Sequence, residues 1–294
     1  MKYRPNWLTL VAALMCASWL TAASADLAEI RARGELRHLG IPYANFVTGL
    51  GDGMSVELAK GFAAHLGVQY QFVRTDWPDI IGDLTGKKAR PKGEQAEVVA
   101  TVPIRGDMIA TGMTILPWRQ TLVTFTATTF PTQVWLVARH DSPLHPIAPT
   151  GTLAGDIALS KGLLADHSLL GKAGTCLDPS LYDIQNSRAK LNLFPGSLNE
   201  LAPALLSGES ELTLLDVPDA LVALQKWPGQ IKVLGPISEI QGMAPAFRPE
   251  DKELIAEFDR YFKDLKASGK FRALVEKYYP FVGDYFPEFI ANAR

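Results

Sequence analysis

The span from Gly106 to Phe125 sets a glycine, a threonine and an arginine close behind a short apolar run, and these residue types together can hold an anion. Met108, Ile109 and Ala110 read as a short strand. Gly112 lets a ligand approach the backbone closely, and Thr114 and Arg119 can both donate to one carboxylate. Arginine suits that task better than lysine because its planar fork meets both carboxylate oxygens at once. On spacing alone Arg119 equally fits a solvated surface arginine, and Asp216, at the end of an apolar run and ahead of Pro218, equally fits a helix-capping aspartate. Thr175, after Gly174, reads as a helix N-cap or as a second donor to a carboxylate.

Other chemistries lack their residues. The chain has no Gly-x-Ser-x-Gly elbow, and Gly49-Leu-Gly51-Asp-Gly53 lacks the spacing of a phosphate loop and reads as a turn. His38, His65, His140, His145 and His167 do not fall at metal-binding helical spacings, and Cys176 reads as a small packed residue. No catalytic set, metal or cofactor is expected.

Lys2 and Arg4 precede an apolar run from Trp7 to Ala23 that ends in Ala23-Ser24-Ala25, the pattern of a cleaved export signal over residues 1–25. Removing those two cations takes the formal charge from −2 to −4, with no basic stripe, which argues against a nucleic-acid partner. Cys16 would leave with the signal. Cys176 then stands alone, so stability must come from core burial rather than a disulfide. The expected location is the periplasm.

Elements able to position the clamp follow in order. Leu27 to Arg33 reads as a short helix and Glu35 to Ile41 as a strand, with Tyr43 and Phe46 in the loop at its carboxyl end, where open α/β sheets place ligands. Ser55 to Leu66 has helical periodicity and Val68 to Val73 alternates as a strand. Residues 85–106 read as an exposed insertion built as a hairpin. Gln133 to Ala138 is a strong strand, and Pro143, Pro146 and Pro149 after it mark a candidate lobe boundary. A helix at Leu198–Leu206, a strand at Glu211–Leu215, a helix at Pro218–Gln225 and a strand at Ile231–Leu234 continue the alternation. Helices over Glu250–Ala267 and Lys270–Tyr279 close the chain.

With these elements in order, the chain resembles the family 3 extracellular solute-binding proteins, the receptors of polar amino-acid ABC transporters. The resemblance rests on the exported start, Gly112-Met-Thr114-x5-Arg119, the unit Leu214-Leu215-Asp216-Val217-Pro218, and the terminal Leu265-Lys-x-x-Gly269-x6-Glu276-Lys277-Tyr278. It implies a two-lobed α/β periplasmic-binding-protein fold of type II, with mixed sheets flanked by helices and two hinge crossings. Lobe one would comprise 26–132 plus 236–294, and lobe two 133–235.

The resemblance also implies that Gly112, Thr114 and Arg119 hold a ligand carboxylate, that Asp216 holds its ammonium, and that Thr175 adds a second carboxylate contact. Tyr43 and Phe46 would cover the ligand, with Trp77 and Trp118 as further aromatic candidates. The expected function is capture of a small carboxylate-bearing, amino-acid-like solute by lobe closure, for delivery to a membrane permease. The chain departs from the family pattern at Leu116, Trp118 and Phe125-Thr-Ala-Thr-Thr129, which makes the rim more apolar and points to an aromatic or aliphatic ligand. The alternatives are a partner-binding or sensor module using the 85–106 insertion, and a cyclohexadienyl-dehydratase-like enzyme.

Overall fold

A computed structural model describes residues 26–293, so the predicted export signal lies outside the described residues. The chain opens with α1 (Asp26–Arg33), β1 (Glu35–Gly40), α2 (Met54–Leu66), β2 (Gln69–Arg74) and α3 (Ile80–Thr85). The hairpin β3 (Lys87–Lys92) and β4 (Gln95–Thr101) follows, then β5 (Met108–Ile109), α4 (Pro117–Gln120), β6 (Thr124–Phe125) and β7 (Phe130–Thr132). The middle of the chain holds β8 (Val134–Arg139), α5 (Leu153–Gly162), β9 (Ser168–Gly171), β10 (Lys190–Leu193), α6 (Leu201–Leu206), β11 (Leu212–Asp216), α7 (Val217–Lys226) and β12 (Ile231–Pro236). It ends with β13 (Gln241–Met243), β14 (Ala246–Phe247), α8 (Lys252–Ala267), α9 (Lys270–Tyr278), α10 (Val282–Tyr285) and α11 (Pro287–Ala291).

Two five-stranded sheets result, ordered β2-β1-β5-β14-β6 and β10-β9-β11-β8-β12. In the first, β1 runs parallel to β2 and β5, and β14 returns antiparallel against β5 and β6. In the second, β9 is parallel to β10 and β11, while β8 lies antiparallel between β11 and β12. The chain passes from one sheet to the other after β7 and back after β12. Those passages are tied together by the antiparallel pair β7–β13, which sets Phe130 against Met243 and Thr132 against Gln241.

The periodic segments form for the expected reasons. In α2, Val56, Ala59, Phe62, Ala63 and Leu66 are buried on one stripe, and Gly67 ends the helix in the left-handed region at φ 74°. The partner helix α8 comes close because Gly61 has no side chain. A Cβ there would stand 2.2 Å from the Tyr261 hydroxyl, which donates to the Leu58 carbonyl at 3.1 Å. β8 is buried along Val134–Ala138, as the central strand of a covered sheet must be.

The structure corrects one boundary. The proline-rich loop after β8 leads to α5, and Ile147 N–H donates to the Leu234 carbonyl of β12 at 2.8 Å, so the loop stays on the second sheet rather than marking the passage between sheets. The insertion is a hairpin as expected, and its outer strand leaves Val98 and Val99 half exposed.

His38 is an unexpected buried group in β1. Its Nδ1 lies 2.8 Å from the Tyr70 hydroxyl and its Nε2 lies 2.5 Å from the Ala110 carbonyl. A carbonyl can only accept, so Nε2 carries the proton and Nδ1 accepts from Tyr70. Burial lowers the pKa to about 4, against an ordinary value of 6.5. The stability this histidine contributes is therefore present above pH 6.5 and lost as pH falls toward 4. Denaturant unfolding of wild type and His38→Gln should show a difference in stability that shrinks by on the order of 3 kcal/mol between pH 7 and pH 4. A difference independent of pH would show that His38 protonates equally in the folded and unfolded chains.

Candidate functional site

Arg119 is supplied by the turn α4, entered through Pro117 at the start of the helix. Its side chain is 2 % exposed. Nη1 donates to the Thr114 carbonyl at 2.9 Å, while Nε has no hydrogen-bond partner. The guanidinium carbon lies 5.6 Å from the Trp77 ring centre and 5.3 Å from that of Trp118, so two aromatic faces replace part of its hydration. Burial lowers its pKa, and the groups that oppose this are Cys176, Tyr182 and Tyr43, none of them a carboxylate. Thr114, bridged to Met243 of β13, sets its buried hydroxyl beside the Cys176 thiol.

The opposite charge comes from β11. Asp216 ends that strand and caps α7, accepting from Asp219 N–H at 3.4 Å. Its Oδ2 also accepts from the Tyr43 hydroxyl and, at 3.3 Å, from the Cys176 thiol. Burial pushes the Asp216 carboxyl up, and it pushes that of Asp219 further, with Asp216 itself adding to the second shift. Burial likewise pushes the Cys176 thiol well up, which makes it a poor nucleophile.

The structure thus gathers Tyr43, Thr114, Arg119 and Asp216 around Cys176. Phe46 and Gly112 pack on one another behind Tyr43, whose ring stacks on Phe46 with centroids 5.9 Å apart. Thr175 lies beside the cluster, but its hydroxyl closes its own turn, donating to the Lys172 carbonyl at 2.8 Å and accepting from Leu177 N–H at 3.1 Å. Trp77 and Trp118 stack on Arg119 itself.

Sequence reasoning missed Asp219, Tyr182 and Gln241. Tyr182 donates its hydroxyl to the Cys176 carbonyl, and Gln241 lies beside Tyr182. Only Asp219 had a local signal, standing one helical turn after Asp216.

Contacts from the loop after β1 bridge the two sheets. Besides Tyr43 on Asp216, Ala44 N–H donates to Asn199 Oδ1 at 2.8 Å, and Asn199 Nδ2 donates to the Pro42 carbonyl at 3.3 Å. Beside them a cavity of 750 Å³ is lined by Trp77 and Trp118, by Lys172 and Gly174, and by Arg90 and Pro91 of the hairpin. Arg119 and Asp216 do not line this cavity; they lie buried beside it on either side of Cys176, a guanidinium and a carboxyl of the two signs that a zwitterion carries.

The family profile of the bacterial extracellular solute-binding proteins, family 3, matches residues 101–281, which include both charged ends of this cluster. The chain belongs to that family. A solved mutant form of ArgBP from T. maritima is 25 % identical, with a TM-score of 0.68 over 87 % of this chain and 99 % of that one. A truncated, arginine-bound form of ArgBP is also 25 % identical, with a TM-score of 0.62 over 81 % of this chain and all of that one. An ancestral amino-acid-binding protein, named as a precursor of cyclohexadienyl dehydratase, shares the fold at 24 % identity and a TM-score of 0.67, covering 88 % of this chain and 100 % of that chain. The two-lobed architecture is that of the periplasmic amino-acid-binding proteins.

Among curated proteins, the membrane-bound lytic murein transglycosylase F of Desulfosudis oleivorans is 24 % identical over 233 residues. That match takes in 79 % of this family 3 chain but spans only 45 % of the relative.

Gly112 has φ +67°, and a Cβ there would stand 2.2 Å from Phe46 Cδ2. Gly112→Ala should therefore lower unfolding stability by about 2 kcal/mol or more, through backbone strain and displacement of Phe46. Urea melts give the value, and a loss below about 0.5 kcal/mol would mean that the loop yields freely.

Proposed function

We propose that this family 3 protein captures an amino-acid-like solute between its two lobes, 26–132 plus 236–294 and 133–235, and delivers it in the periplasm to a membrane permease. The observation that carries the reading is a buried guanidinium with no carboxylate partner and, on the other side of Cys176, a buried carboxyl pair with no cationic partner. Leaving either charge unpaired out of water is costly, and a zwitterion pairs both.

In this reading Arg119 and Thr114 receive the carboxylate, Asp216 receives the ammonium, and Gly112 keeps the approach to the backbone open. Tyr43 and Phe46 wall the site, and Thr175 orders the turn that brings Cys176 and the second lobe against the ligand. The arginine held by ArgBP supports an amino-acid ligand class. The protein acts by reversible binding: Cys176 is held protonated, and Asp216 is committed to holding charge rather than transferring it. Ligand contacts to both lobes favour the closed form only by the difference in affinity between closed and open forms.

A thermal-shift screen of amino acids tests this directly. A ligand at about 100 times its Kd adds roughly 2.7 kcal/mol to stability. Arg119→Ala should then weaken binding of the solute found by about 2 kcal/mol, near 30-fold, by calorimetry. Unchanged affinity would remove Arg119 from the site, and no shift with any amino acid would overturn the ligand class.

A further inference from the structure

Asp219 is left over from the pairing above. It stands in the first turn of α7, is 6 % exposed, and has an Oδ2 with no hydrogen-bond partner. It also lines a second cavity, of 530 Å³, which shares Leu198 with the one beside Arg119. One wall is the loop from Ala44 to Gly49, and the other is α7 as far as Trp227 together with Leu198 and Ala202.

The walls are apolar at Val47, Leu198, Ala202 and Val222, and the carboxyl of Asp219 is the anionic group among them. The volume is in the range of small-molecule sites. Lys226, the cation among the lining residues, is exposed and holds its Nζ 5.3 Å from the Trp227 ring centre. The Tyr43 hydroxyl lies near Asp219 as well, and its single proton is donated to Asp216. The rest of the lining is polar at Asn45, Thr48, Asn199 and Gln225, and a buried carboxyl beside walls that are apolar in part suits a cation that brings its own apolar stem.

We propose that this cavity is an alkylammonium site, with Asp219 as its anionic anchor and Val47, Leu198, Ala202 and Val222 enclosing the alkyl chain. The ammonium has two possible carriers: a free amine, or the side chain of the solute held at Arg119 and Asp216. The second carrier rests on the solute-binding reading above, and the first does not.

The probe is n-butylammonium chloride, with n-butanol as the uncharged control, titrated into wild type, Asp219→Asn and Val222→Phe while circular dichroism checks the fold. Butylammonium should bind wild type, butanol should not, and both variants should weaken butylammonium at least tenfold. Lysine and norleucine, alike except for the terminal ammonium, identify the carrier. A lysine preference of tenfold or more that disappears in Val222→Phe assigns the ammonium to the solute's own side chain; butylammonium binding without that preference assigns it to a separate amine.

No butylammonium binding together with equal affinities for lysine and norleucine overturns the site. So does butylammonium binding that neither variant weakens. If neither amino acid binds, the solute-binding reading loses support, and the butylammonium titration still decides the cavity by itself.

Discussion

Desolvated charge is the constraint around which this molecule is organised. Arg119 is buried with aromatic faces and a carbonyl for company, and Asp216 is buried with a phenol, a thiol and a backbone N–H. Each set of neighbours softens the loss of water without neutralising the charge, a state that folded proteins tolerate where function requires it. The architecture follows from having to bring those groups together. β5 and α4 deliver the cation from the first sheet, β11 and α7 deliver the acids from the second, and the loop after β1 reaches across to join them.

The β7–β13 pair explains how two sheets can share such a site. It lies beside Thr114, through the bridge to Met243, and carries Gln241 next to Tyr182. The hinge and the polar cluster are therefore one continuous piece of structure. Behind it Phe46, Phe130 and Tyr279 pack with ring centres 4.5 to 5.3 Å apart, and Tyr279 accepts from Asn45 N–H at 3.0 Å. This apolar backing holds the loop after β1 at a fixed height above the second sheet.

The fold was legible in the sequence wherever periodicity had room to show. α2, α8 and β8 repeat their buried positions over enough residues to declare themselves, whereas β6, β7, β13 and β14 have two or three residues each and take their form from pairing partners far along the chain. Between α5 and β10 no helix or strand was predicted along its length, because α5 buries only Ser160 and β10 lies exposed at a sheet edge, so neither carries an amphipathic pattern. Arg119 and Asp216 stood out because each sits in a short local motif. The convergence of Tyr182, Asp219 and Gln241 on the same cluster is tertiary, and no spacing in the chain announces it.

Cys176 carries a further consequence. It is the free thiol among the described residues, 5 % exposed, and it sits where the two charged ends meet. A reagent can reach it only when the second sheet and the loop after β1 part, and its raised pKa keeps it from reacting by any shortcut at neutral pH. The rate at which the native chain is alkylated is thus a gauge of the fraction of time the two halves stand apart, set by the protein itself and read without a label.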